Sequence, residues 1–156
     1  IRRMLEPATL RTAAEHARPV DLITLRDLAD EVESAVAARD YLAFRRADNA
    51  FLATLLSLHP NPDLARLCTE LGVRTAYEGL RVPVEQGLLS DTLRPVSRIV
   101  DLIAAGDFAG VESLATTLID RLRLVGAPRM DSPHLVGPPI PLDVEADVEF
   151  LEVPVS

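Results

Sequence analysis

VSRIVDLIAAGDFAGVESLATTLIDRL, residues 96–122, settles the class of fold. Val96, Ile99, Val100 and Ile103 recur at steps of three and four; Gly106-Asp107 interrupts; then Val111, Leu114, Ala115, Leu118, Ile119 and Leu122 resume the same spacing. A period near 3.6 marks one apolar face of an α-helix. A glycine just past the last periodic residue suits a left-handed helix stop, and the aspartate after it suits the N-cap of a new helix. The stretch therefore reads as helix, tight connection, helix, and helices joined so closely lie antiparallel.

The same period extends back to Arg2. A first helix is expected from Arg2 to about Ala17, with Leu5, Thr9, Ala13 and Ala14 along one face and Pro7 as a source of fraying or a slight kink near its start. Arg18-Pro19 ends it. A second helix carries Leu22, Leu25, Leu28, Ala29, Val32 and Val36, with Asp21 near its positive end, and Asp40 breaks it. A third carries Leu42, Phe44, Phe51, Leu52, Leu55 and Leu56 and stops near His59-Pro60. Asn61-Pro62 then reads as cap and first helical residue. A fourth holds Leu64, Leu67, Cys68, Leu71 and Val73 and runs on through Tyr77 and Leu80, with Gly72 and Gly79 weakening its continuity. Val82-Pro83 through Gly87 is expected to be a break, and Ser90 or Asp91 to start the helix that contains Val96. The expected fold is all-α, an antiparallel bundle of six or seven helices over residues 1–125.

Residues 126–156 differ. Gly126 to Pro141 is proline-rich and lacks a helical period, as a linker does. Asp143 to Phe150 alternates acidic and apolar residues, which fits either one strand with a greasy face or a disordered acidic tail.

Bulk composition narrows the function. The 156 residues suffice for one domain with a core, 48% are hydrophobic and 26% charged, and no apolar run approaches the roughly 20 residues needed to span a bilayer. The chain starts at Ile1 without a signal-peptide pattern, and an upstream segment is expected. A net charge of −8, with every basic residue an arginine, lacks the cationic surplus that binds phosphates, so the segment is not expected to hold nucleic acid by itself. The lone Cys68 excludes an intrachain disulfide, fits a reducing cytoplasm and reads as a core residue.

Catalytic groups are scarce. His16, His59 and His134 stand at a helix end, in a turn and in the linker, and none has a helical partner for a metal. There is no phosphate-binding glycine loop and no nucleophile elbow, so no enzyme is expected. One polar residue is oddly placed. Asp48 precedes Phe51 by three and Leu52 by four and shares their face. Buried there, its carboxylate needs a cation, a metal or a ligand; at the edge of the face, it pairs with an arginine such as Arg45 or Arg94.

Taken in order, Arg2-x-x-Leu5-Glu6, Asp48-x-x-Phe51, Asn61-x-x-Leu64 and Ile99 to Asp107 resemble the FCD domain, the ligand-binding C-terminal domain of FadR-like GntR transcription regulators. The resemblance covers about Arg2 to Leu124. It implies a helical bundle in a cytoplasmic homodimer, an N-terminal winged helix-turn-helix that alone contacts operator DNA, and a small-molecule effector sensed by this domain. Many members of the family bind a divalent metal through one aspartate and three histidines. Carried over by position, Asp48 is the aspartate, but Leu52, Val96 and Leu118 stand where the histidines would be. One carboxylate cannot hold such an ion, so neither metal nor other cofactor is expected. One turn away lie Leu55, Ile99, Ile103, Val111 and Leu114. The expected ligand site is therefore Arg2, Asp48, Leu52, Leu55, Val96, Ile99, Leu114 and Leu118: greasy walls with Asp48 and Arg2 as polar anchors, Arg2 in the position that can meet a ligand carboxylate in the family. The alternative is a filled core, in which the aliphatic replacements plug the hole and the bundle serves only for dimerisation or interaction.

Overall fold

A computed structural model describes residues 1–74, 78–88 and 96–126, and within them the chain is helical throughout. Seven helices follow one another among the described residues: α1 (Arg2–Glu15), α2 (Pro19–Ala37), α3 (Tyr41–Leu56), α4 (Pro62–Arg74), α5 (Glu78–Glu85), α6 (Ser97–Ala104) and α7 (Phe108–Gly126). Among the described residues no helix is long and apolar enough to cross a membrane. The proline-rich segment and the alternating stretch 143–150 lie outside the described residues, as does Arg94.

Local chemistry sets the helix ends. Pro19 opens α2 where a missing N–H costs nothing, and the Asp21 carboxylate accepts the Arg18 backbone N–H at 2.8 Å. The guanidinium of Arg18 holds that carboxyl below its ordinary range. Asp40 accepts from the Ala43 N–H at 2.9 Å and starts α3, while the break itself lies one residue earlier, at Arg39, whose φ of 57° is left-handed. Asn61 caps α4 through the N–H groups of Asp63 and Leu64, both at 3.1 Å. Gly106, at φ 71°, ends α6, and Asp107 accepts from the Gly110 N–H at 2.9 Å to start α7, the arrangement expected of that dipeptide.

The interior has two parts. The larger one collects Leu10, Ala13 and Ala14 of α1, Leu25 and Ala29 of α2, Phe51, Leu55 and Leu56 of α3, Cys68 of α4, Ile99, Val100 and Ile103 of α6, and Val111 and Ala115 of α7. The smaller one joins Val32 and Ala35 of α2, Tyr41, Phe44 and Ala47 of α3, and Leu80 and Val84 of α5. Val96 packs against both. First and last helices lie side by side: α1 packs along α7, and the pair is bridged by Arg3–Asp120 at 2.7 Å and Arg11–Glu112 at 3.0 Å. Arg26–Asp101 at 2.7 Å joins α2 to α6.

Three expectations need correction. Leu42, placed on the apolar face of the third helix, is 69% exposed; Tyr41 and Phe44 face inward instead. Leu67 and Val73, assigned to the face of the fourth helix, are exposed too, and Leu80 belongs to a separate helix, α5. Pro83, read as part of a break, sits inside α5, because Leu80 and Val84, four apart, are both buried and hold that short helix against α3 and α7. The helical run ends only at Gly87, again left-handed, where the Leu88 N–H reaches back to the Pro83 carbonyl at 2.8 Å. Pro7 lies within an unbroken α1, near enough to its start to be accommodated.

Candidate functional site

Polar groups gather in the interior at one place, where α1, α3 and α4 meet. From α1 come Arg2, Glu6 and Thr9, one turn apart and so stacked on one face. Glu6 and Thr9 are buried, at 4% and 3% exposure, and are the charged and polar members of an otherwise apolar list of buried side chains. Arg2 grips Glu6 with two parallel bonds, Nε to Oε2 at 2.6 Å and Nη2 to Oε1 at 2.9 Å, the fork geometry in which guanidinium and carboxylate bind most strongly. Thr9 Oγ1 donates to the Leu5 carbonyl at 2.6 Å and receives the Cys68 thiol at 3.7 Å. Cys68 is 1% exposed, and burial pushes its thiol up, which makes it an inert core residue, as expected.

Asp48 enters from α3. It is half-buried. Desolvation pushes its carboxyl up to about 6; the positive charge of Arg2 opposes the rise and the negative charge of Glu6 adds to it. Among the described residues no hydrogen bond or ion pair is seen to this carboxylate, and Arg94, one of the two arginines expected to pair with it, lies outside them. Among the described residues the Arg2 guanidinium stands with the carboxylates of Glu6 and Asp48, and two of its five N–H groups go to Glu6.

The aliphatic residues expected around Asp48 all belong to the larger core or border it. Leu55 (0% exposed) and Ile99 (5%) belong to the larger core, and Leu52, Val96, Leu114 and Leu118, all half-buried, pack against it. Leu52 lies one turn beyond Asp48 and sits over Gly72 of α4 so closely that a Cβ at Gly72 would come within 2.9 Å of its Cδ2. Among the described residues no three His, Cys, Asp or Glu side chains are placed to hold a metal ion. The donor set agrees, because Leu52, Val96 and Leu118 offer no lone pair where a metal site of this kind needs three imidazoles. An open hollow on α2, lined by Leu22, Ile23, Arg26 and Asp27, involves none of these residues.

Reasoning from sequence singled out Asp48 and Arg2 but gave Glu6 no role beyond its place in a motif. The signal was present: Arg2 and Glu6 are four apart on a helix, the spacing of an ion pair. Gly72, by contrast, was read only as a weak point in a helix, and its contact with Leu52 depends on packing that no local pattern encodes.

A family model described as the FCD domain matches residues 1–121. No curated protein and no solved structure matches the chain. With the match covering most of the chain, and with the helical order, Asp48 and the helix-Gly106-Asp107-helix unit all in place, the chain belongs to the FCD family, the effector-binding and regulatory domain of GntR-type transcription regulators.

Proposed function

We propose that this domain senses a small apolar or amphipathic metabolite, without a metal, in the recess between Asp48 and the aliphatic side chains of Leu52, Leu55, Val96, Ile99, Leu114 and Leu118. The observation that carries this reading is Asp48: a half-buried, desolvated carboxylate with no partner among the described residues, one turn from Leu52 at the border of the core, is costly to fold around and can be put to use by a ligand. Few polar groups on an apolar wall make a small-molecule site. The family supplies the rest of the reading: a homodimer, in the cytoplasm, attached to winged helix-turn-helix heads that contact operator DNA. Net charge supports the division of labour, since a chain at −8 leaves the phosphates to another part of the protein. The mechanism is a population shift. The ligand favours one arrangement of the helices and so alters the spacing of the two heads, by as much as its affinities for the two arrangements differ. No catalytic role is assigned to any residue.

A second reading has one observation in its favour. The tight seat of Leu52 on Gly72 suits a filled core, in which the bundle only dimerises or binds a partner. Native mass spectrometry of gently purified protein, followed by denaturing extraction, separates the two. A co-purifying organic molecule without metal supports the sensor. A dimer that stays empty, and whose full-length form shifts operator DNA identically with every candidate metabolite, supports the filled core.

A further inference from the structure

We propose that α5 is a strap, a short helix held shut by two arginine contacts, which lifts off the smaller core while the rest of the bundle stays folded. A helix of eight residues is too short to hold itself together in water, and Pro83 removes one of its few backbone hydrogen bonds. Its grip is therefore tertiary. Among the described residues its buried side chains are Leu80 and Val84, and both enter the smaller core with Tyr41 and Phe44 of α3. Arg81, Val82 and Glu85 are exposed.

Two arginines fasten the strap, one from each side of the contact. Arg81 reaches from α5 to α3, its guanidinium carbon 5.9 Å from the centre of the Tyr41 ring, and Glu85 steadies it through Nε at 3.1 Å. Arg39 reaches from the corner between α2 and α3 to the end of the strap. A Cβ at Gly87 would lie 2.9 Å from Arg39 Nε and 3.2 Å from its Cζ and Nη2, so the guanidinium rests where a side chain would otherwise stand. Both residues are left-handed, Gly87 at φ 71° and Arg39 at φ 57°. For glycine that conformation is open, whereas for arginine it costs energy, and Arg39 is the one residue other than glycine to adopt it among the described residues. A helix stop shaped for stability alone would carry glycine at both places. Arg39 supplies instead a contact with the strap that glycine lacks.

What the strap covers gives the device a use. Val96 packs against the smaller core and against the larger one. When α5 lifts, the smaller core opens to solvent, and Val96 is the step from it to the larger core. Such a route admits an apolar solute without unfolding the bundle. That use rests on the small-molecule reading, and the opening itself does not.

The experiment compares two thiols in one molecule. Val84→Cys, close to isosteric, puts a thiol on the buried face of the strap, where Val84 is 0% exposed, and the native Cys68, 1% exposed in the larger core, is the reference. The protein is treated with N-ethylmaleimide in the absence of denaturant, and each site is read by peptide mass spectrometry and scaled to its rate in the unfolded chain. The introduced thiol is expected to react about tenfold or more faster than Cys68, as an element that opens locally does. Adding Arg39→Gly or Arg81→Ala is expected to speed it by a further factor of about two to five, the scale of one exposed guanidinium contact, and to leave Cys68 unchanged. Arg39→Gly relieves the left-handed strain at the corner, so faster labelling in that variant separates loss of the contact from general destabilisation. Equal scaled rates at the two thiols, or arginine substitutions that speed both sites alike or neither, overturn the strap and leave the small-molecule reading standing.

Discussion

Along a single face of α3 the molecule passes from a charge it tolerates poorly to a core it cannot do without. Asp48 and Leu55 are seven residues apart, two helical turns, and Leu52 lies between them. Leu55 is fully enclosed within the larger core and simply contributes burial. Asp48 is half-buried and contributes the opposite, because its carboxylate is desolvated and no donor reaches it among the described residues. The same helix yields opposite signs at its two ends, and the difference is chemical. A fold selected only for stability would carry an aliphatic residue at both positions. An acid kept at one of them is the basis on which a ligand site is proposed.

The largest expected effect tests the core end of this contrast. Leu55→Ala should destabilise the domain by about 2–5 kcal/mol in a chemical denaturation series, the range for a fully buried leucine whose surroundings collapse only partly. Loss below about 1 kcal/mol would mean that the larger cluster is looser than it looks.

The opposite sign is expected at the other end. Asp48→Asn should stabilise the protein at pH 7.5 or above by an amount on the order of 2–3 kcal/mol, less whatever the neighbouring Arg2 loses in attraction. The pH dependence follows from the raised value. The folded carboxyl titrates at about 6 against 3.8 in the unfolded chain, so the folded state binds more protons in between. The contribution of Asp48 therefore becomes less favourable as pH rises through that window, and its penalty is complete above about pH 7. The advantage of Asp48→Asn over the wild type should accordingly fade as pH drops from 7 towards 4, read from paired unfolding curves.

A smaller effect sharpens the role of the ion pair. Glu6→Gln should cost about 1–2 kcal/mol, less than breaking an isolated buried pair, because Asp48 stands by to engage the released guanidinium. The same substitution should lower the pKa of Asp48, which titration by carboxyl carbon NMR detects.

Smallest of all is the packing seam at Leu52. Gly72→Ala gains about 1 kcal/mol in helix propensity but brings a Cβ to within 2.9 Å of Leu52, so the single variant should be near neutral. In a Leu52→Ala background the clash is gone, and Gly72→Ala should then stabilise by about 1 kcal/mol. A double-mutant cycle without such coupling would show that the two helices are not pinned at this point.

The two ends of α3 also differ in how far they could be read beforehand. Leu55 and Ile99 follow from periodicity, because burial of an apolar face leaves a repeating mark on the sequence. Helix boundaries at Asn61-Pro62 and Gly106-Asp107 were equally legible, since capping chemistry is local. Asp48 stood out as a polar residue on an apolar face. What no local pattern carried was its lack of a partner, which depends on Arg2 being held by Glu6 on a helix distant in sequence. Leu42 misled because it sits in the first turn of α3, where the face that turns inward is chosen by Tyr41 and Phe44 packing on α2 and α5. Pro83 misled for a related reason: the buried pair Leu80 and Val84 outweighs the proline's preference for a break.

The most direct test of the account is a carboxyl carbon NMR titration of Asp48. The account predicts a value of about 6, because the carboxyl is desolvated. An ordinary aspartate value near 4 would contradict it, because Asp48 would then be a solvated surface group with nothing to offer a ligand.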